Sequence, residues 1–184
     1  MILASRSPRR RELLSGCGVE FSVHDARVEE LQPGCGLPLK ELPAANAVLK
    51  AEAVSAAFPD ELVLAADTMV ICNGSAFGKP ADETQAMEML RSLSGRDHEV
   101  ITAVALMKKS SGFRKVWSEV TRVRFKELSA EDIRKYISLV DVCDKAGAYA
   151  IQEHGEMLVE MIDGEIENVI GLPLKKLQDF LKNG

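Results

Sequence analysis

Ser5-Arg6-Ser7-Pro8-Arg9-Arg10 sets two hydroxyls and three arginines where a short apolar run gives way to a helix start. The first amides of a helix have no intrahelical partner and sit at the positive end of its dipole. With guanidinium groups beside them they can hold an anion, phosphate above all. A capped surface helix with solvated arginines fits the same residues. Asp67 follows the apolar run Leu62-Val63-Leu64-Ala65-Ala66, a place where a strand can deliver a carboxylate to a ligand crevice and tune it as a general base. Asp67-Thr68 is also ordinary turn chemistry.

Two lysines stand in unusual settings. Lys50 lies one helical turn from Asn46, among Ala47, Ala53 and Val54, and Lys79 sits on the stiff Gly78-Lys79-Pro80 turn. Either could serve as a point charge for phosphate, and Lys50 could equally snorkel from a surface helix. Glu29-Glu30 suits Mg²⁺, which takes one or two carboxylates together with phosphate oxygens and waters, or a solvated loop. Taken together, these groups could bind a polyphosphate, hold a metal and activate water. A G-x-S-x-G elbow, a P-loop and a G-x-G-x-x-G turn are all missing from the chain.

The elements that must carry these residues read as follows. A strand over Met1–Ser5 precedes a helix over Arg9–Leu14, with Ser7 as N-cap and Pro8 in the first turn. Phe21–Val28 alternates as a strand, residues 32–43 form a loop, and Ala44–Phe58 is an alanine-rich helix stopped by Pro59. A strand ends at Asp67 and resumes over Met69–Cys72, then turns at Asn73-Gly74. Helices follow over Glu83–Leu93, capped by Asp82 and Gln85, and from Ser129 to about Val140. Glu99–Met107 and Phe113–Phe125 form a hairpin, Gly147–Gln152 and Met157–Ile162 are strand-like, and Leu174, Leu177 and Leu181 repeat on a last helix after Pro173. Helices interleaved with hairpins predict an α/β class with a mixed sheet.

Composition narrows the function further. The chain has 184 residues, 46% of them hydrophobic, with 23 Lys+Arg against 28 Asp+Glu for a net charge of −5. That balance predicts a folded globular protein and speaks against a nucleic-acid binder. No apolar run approaches the roughly 18 residues of a membrane span, and the start shows no secretory pattern. A cytoplasmic protein with no membrane partner is expected. Cys17, Cys35, Cys72 and Cys143, with His24, His98 and His154, lack metal-ligand spacing and are expected to be small semi-buried thiols and isolated imidazoles.

The order of motifs resembles the Maf family of nucleotide pyrophosphatases. The resemblance rests on Leu3-Ala4-Ser5-x-Ser7-Pro8-Arg9-Arg10-x-Glu12-Leu13-Leu14, Lys50-Ala51, Ala66-Asp67-Thr68-x-Val70, Gly78-Lys79-Pro80, Leu93-Ser94-Gly95-x-x-His98-x-Val100, Asp144-Lys145-Ala146-Gly147-Ala148-Tyr149-Ala150-Ile151-Gln152 and Gly171-Leu172-Pro173. It runs from residue 2 to about residue 177. It implies a single domain over residues 1–184, with an elongated two-lobed fold like that of inosine-triphosphate pyrophosphatases and a central cleft. The implied reaction takes a nucleoside triphosphate to the monophosphate and pyrophosphate with a divalent cation, Mg²⁺ or Mn²⁺.

By motif position, Asp67 would be the general base, and Lys50 and Lys79 would neutralise phosphate charge. Ser5, Arg9 and Arg10 would grip the triphosphate, and Glu30 with Asp67 would hold the metal. Arg9, Thr68 and Gln152 match the positions that set base preference. Asp-Thr with Tyr-Ala-Ile-Gln looks like the branch acting on dTTP and UTP, whereas Asp-Gln and a Ser-Glu pair mark the 7-methyl-GTP branch. That second branch, or a nucleotide-binding inhibitor of septum formation without turnover, is the alternative reading. The family and the frequency of symmetric oligomers suggest a homodimer. Three positions depart from the family pattern: Glu29 where Asp is common, Asn46 in an otherwise aliphatic approach to Lys50, and Glu153 where glycine usually follows Gln152.

Overall fold

Alternation along one strand organises the first half of the molecule. The computed structural model describes residues 1–183. Its elements run β1 (Ile2–Leu3), α1 (Pro8–Ser15), β2 (Ser22–Val23), α2 (Leu42–Ala57), β3 (Val63–Cys72), β4 (Ser75–Phe77), α3 (Glu83–Leu93), β5 (Asp97–Lys108), β6 (Phe113–Phe125), α4 (Ala130–Leu139), β7 (Val159–Asp163), α5 (Ile166–Ile170) and α6 (Leu174–Asn183). The hydrogen-bonded strand order is β2-β1-β3-β5-β6-β7, with β4 paired to β3. β1 pairs in parallel with both β2 and β3, while β3–β4 and β6–β7 are antiparallel, so the sheet is mixed. Among the described residues no helix is long and apolar enough to cross a membrane.

The chain divides into two compact units. One holds Met1–Thr68, Thr102–Glu119 and the residues from Gly171 onward; the other holds Met69–Ile101 and Val120–Ile170. In the first unit, successive β3 side chains go to opposite faces, as the period of two in a strand requires. Val63 and Ala65 pack with Ala47, Ala51 and Val54 of α2. Leu64 and Ala66 pack with Leu14 of α1 and with Leu172 and Leu177. Both faces of β3 are therefore covered, which is why its sequence reads as a continuous apolar run. The small alanines on β3 and α2 let helix and sheet approach closely.

In the second unit the core gathers Leu90 and Leu93 of α3, Phe125 of β6, Ile133 and Tyr136 of α4, and Tyr149. Its helices begin where capping chemistry predicts. The Asp82 carboxylate accepts from the Gln85 amide at 2.8 Å. Ser129 and Asp132 form a full capping box, each side chain accepting from the other's amide. Asn73-Gly74 makes the tight β3–β4 connection, and the expected β5–β6 hairpin is present.

Several expectations are corrected. Asp67 does not end a strand: β3 runs unbroken through it, because its carboxylate has side-chain partners and need not reach water. The strand expected over Phe21–Val28 is only Ser22–Val23, and Arg27 at φ 49° turns the chain away from an extended path. Pro43 lies inside the first turn of α2, where a missing N–H costs nothing, so that helix starts at Leu42. Gly147–Gln152 is not a strand. It is a 3₁₀ turn and loop with φ of 72° at Gly147 and 62° at Ala148. A Cβ on Gly147 would also meet Val70 Cγ2 at 3.1 Å, so both conformation and space call for glycine there. The five-residue α5, too short to show a period, went unread in the sequence. All four cysteines are free: Cys72 is buried and Cys17 half-buried, but Cys35 and Cys143 are exposed rather than semi-buried.

His98 of β5 links this core to the Lys145–Gln152 loop. It is 2% exposed, its Nε2 lies 2.9 Å from the Tyr149 hydroxyl, and it meets Phe125 edge to face. Burial holds its pKa down at about 4, against smaller raising effects from the Arg96 backbone and Asp97. The unfolded chain, with a histidine near pKa 6.5, binds this proton first. The native state is thus at full strength above about pH 6.5 and weakens as pH falls toward 4. We expect urea unfolding to show a loss of about 2 kcal/mol between pH 7 and pH 4.5 in the wild type beyond the loss in His98→Gln. Equal pH dependence in the two proteins would contradict a buried neutral imidazole.

Candidate active site

Asp67 and Thr68 are consecutive on β3, so their side chains leave on opposite faces of the strand. Asp67 has the parity of Val63 and Ala65 and faces α2. Asn46 and Lys50 stand four residues apart on that helix, hence on one face, one turn apart. Lys50 Nζ donates to Asp67 Oδ1 at 2.7 Å and pairs with Glu30 Oε1 at 2.6 Å. The side chains of Lys50 and Asp67 are each 11% exposed and that of Glu30 46%, so the charges run from the core to the surface. A carboxylate in the middle of a doubly covered strand is tolerable only with such a partner. Lys50 is therefore a buried ion-pair residue, not a snorkelling one.

Asn46, read in the sequence only as an interruption, completes the cluster. Its side-chain oxygen accepts from the Leu31 amide at 2.8 Å, and its Nδ2 donates to the Leu31 carbonyl at 3.1 Å and to Asp67 Oδ2 at 3.4 Å. One buried amide thus ties the segment after Glu30 to α2 and braces the second oxygen of Asp67. Glu29 is exposed on the same segment.

The other face of β3 carries a second constellation. Arg10 lies one turn before the buried Leu14 on α1. Its Nη2 donates to Thr68 Oγ1 at 2.9 Å, its Nε to the Gly171 carbonyl at 2.8 Å, and its Nη1 to Ser5 Oγ at 3.5 Å. Ser7 caps α1 by accepting from the Arg10 amide at 3.4 Å. Thr68 Oγ1 also lies 2.9 Å from Thr102 Oγ1 of β5. Gly171 keeps this packing open, since a Cβ there would come within 3.4 Å of both Arg10 Nε and Thr68 Oγ1. Burial lowers the Arg10 pKa, Asp67 and Glu30 raise it, and Arg9 lowers it; at neutral pH a guanidinium remains a cation. Arg10 thus reaches Thr68 directly, and Arg9 is half-buried in the first turn of α1.

Lys79 and Gln152 belong to the second unit, and both are exposed. Their segments are joined where the Gly147 amide donates to the Gly78 carbonyl at 3.0 Å. Gln152 lies in the turn Ile151–His154 rather than in the strand the sequence suggested. The structure thus collects Glu30, Lys50 and Asp67 in one cluster and Ser5, Arg10 and Thr68 in another. Asn46 and Thr102 were missed as partners because a side-chain amide or hydroxyl in an apolar run gives no sign of what it will face.

Among the described residues, no three His, Cys, Asp or Glu side chains converge as a ready metal cage. Two carboxylates do converge on the Lys50 ammonium, and that donor set fits a cation that brings phosphate oxygens and waters as its remaining ligands. Asn46→Ala is expected to destabilise the fold by about 2 kcal/mol, because it takes away the partner of the half-buried Leu31 amide and carbonyl and the second contact of Asp67. Thermal or urea unfolding checks this, and a loss below about 0.5 kcal/mol would mean the Leu31 groups find water instead.

Comparison with known proteins places this geometry in a family. A family model described as Maf-like protein matches residues 1–184. The dTTP/UTP pyrophosphatase of Akkermansia muciniphila is 49% identical over 181 residues, covering 98% of this chain and 94% of that one. The dTTP/UTP pyrophosphatases of Pelotomaculum thermopropionicum and Bacillus velezensis are 45% and 44% identical over 182 residues, covering 99% of this chain and 95% of each. Among solved structures, a HAM1 protein from Coxiella burnetii superposes with a TM-score of 0.56 over 100% of this chain and 98% of that one. At 16% identity that likeness speaks for the fold alone, and the mixed α/β class expected from the sequence is the one found. The chain belongs to the Maf-like protein family.

Proposed function

We propose that this chain is a dTTP/UTP pyrophosphatase, hydrolysing the bond between the α- and β-phosphates to give the nucleoside monophosphate and pyrophosphate. The observation that carries the reading is the buried Lys50–Asp67 pair, extended to Glu30 and braced by Asn46. Relatives at 44–49% identity bearing that name over nearly the whole chain support the substrate class.

In this reading water attacks the α-phosphorus, Asp67 accepts its proton, and pyrophosphate leaves with the bridging oxygen. Asp67 can do this with direction because one of its oxygens is held by Lys50 and the other by Asn46. Lys50 also brings a positive charge to the point where negative charge accumulates. Glu30 and Asp67 would hold a divalent cation, Mg²⁺ or Mn²⁺, which when bound supplies charge neutralisation on the phosphates. Ser5, Arg9, Arg10 and Lys79 are assigned to the triphosphate, and the positive end of the α1 dipole suits the same anion. Thr68 and Gln152 are assigned to the base. Gln152 can meet the O4 and N3–H edge of uracil or thymine, because an amide both donates and accepts. A cytoplasmic homodimer completes the proposal.

The test is pyrophosphate release from a panel of nucleoside triphosphates with Mg²⁺ or Mn²⁺. We expect dTTP and UTP to lead the panel in kcat/KM, and Asp67→Asn to lower kcat about 10²–10⁴-fold with a modest change in KM. An asparagine variant that turns over dTTP at the wild-type rate would remove Asp67 from the role of base. A panel led by a 7-methylated guanine nucleotide would move the chain to the other branch.

A further inference from the structure

The loop that carries Gln152 has no strand to hold it, so its backbone depends on side chains and a few isolated contacts. The Ala150 peptide is fixed on both sides by one buried phenol: its N–H donates to the Tyr136 hydroxyl at 3.0 Å, and that hydroxyl donates to its carbonyl at 3.3 Å. The other anchor is Lys145, which is 4% exposed. Its ammonium donates to the Asp141 carbonyl at 2.6 Å and pairs with Asp144 Oδ1 at 2.7 Å and Glu153 Oε1 at 3.3 Å. Two hydrogen bonds and the longer ion pair to Glu153 thus surround the buried cation.

Of those acceptors only Glu153 lies beyond Gln152 in the chain, so it closes the stretch from Lys145 to Glu153 into a ring. Gln152 sits next to the closing residue. Its own side chain is exposed and has no protein hydrogen-bond partner among the described residues, which leaves the amide available to a ligand. Glu153 also occupies the position where the family pattern has glycine. The added side chain turns back onto Lys145.

We infer that Glu153 and Lys145 are positioning residues for base discrimination: their ion pair fixes the turn Ile151–His154 and so aims the Gln152 amide. The inference rests on the assignment of Gln152 to the base. A tethered neighbour limits the orientations the turn can sample before substrate binds, and recognition groups held in place discriminate better than loose ones.

The test compares kcat/KM for dTTP and UTP with that for GTP and dATP, by pyrophosphate release. It uses the wild type, Glu153→Gln, Glu153→Gly, Lys145→Met, Gln152→Ala and the double variant Glu153→Gln/Gln152→Ala. The Glu153 side chain is 43% exposed, so its removal is expected to leave the fold intact, with a thermal melt as the check. Either Glu153 substitution should lower the pyrimidine-over-purine ratio about two- to fivefold, chiefly through KM. In the Gln152→Ala background the same Glu153→Gln change should leave the ratio nearly where Gln152→Ala put it, since a positioning residue acts through its partner. Lys145→Met should lower the ratio at least as far as Glu153→Gln. An unchanged ratio in both Glu153 variants overturns the inference, as does an equal loss in the two backgrounds. If Gln152→Ala alone leaves a pyrimidine-preferring enzyme unchanged, the assignment of Gln152 fails, and the inference falls with it for that separate reason.

Discussion

A carboxylate in the middle of β3 is the constraint around which the first unit is arranged. The strand is covered on both faces, and Asp67 is 8% exposed. An unpaired charge there would be disfavoured by several kcal/mol. Lys50 supplies the counter-charge at 2.7 Å, and its position on α2 one turn after Asn46 brings cation and amide to the same carboxylate. Replacing such a pair with apolar residues often stabilises a protein, so its presence is poor evidence of a stabilising role and better evidence of a chemical one.

The strand period then divides the work. Residue 67 falls on the α2 face with Glu30, Lys50 and Asn46, and residue 68 on the α1 and α6 face with Arg10, Ser5 and the Gly171 carbonyl. A one-residue slip of β3 would exchange the two sets and bury Thr68 against Lys50. Alanines at 65 and 66 on the strand and at 47 and 51 on the helix leave room for these longer polar side chains at the same level of the core. Thr102, fully buried beside Thr68, extends the second set into the neighbouring strand.

Much of this was legible in the sequence, and the reasons are local. Ser7-Pro8, Asp82 with Gln85 and Ser129 with Asp132 announced three helix starts, because a cap is a contact between residues a few positions apart. Asn73-Gly74 announced its turn for the same reason. What could not be read depends on distant partners. Asp67 looked like the end of a strand because its counter-ion lies 17 residues away, on a helix. Gly147–Gln152 looked extended because the Tyr136 and Lys145 anchors that replace its sheet hydrogen bonds leave no periodic trace. Asn46 looked like a flaw in an aliphatic face until Leu31 and Asp67 appeared beside it. The resemblance to the Maf family named Asp67 and Lys50 together, while their pairing became visible only in three dimensions.

The central claim is that Lys50 and Asp67 act as one unit, and a double-mutant cycle on pyrophosphate release tests it most directly. Single-turnover rates with dTTP would be measured for the wild type, Lys50→Met, Asp67→Asn and the double variant. The account predicts strong non-additivity: Lys50→Met should lower the rate far less in the Asp67→Asn background than in the wild type, because each substitution alone already disables the pair. Losses that simply multiply would contradict it, and would mean that the two residues serve the reaction separately despite their 2.7 Å contact.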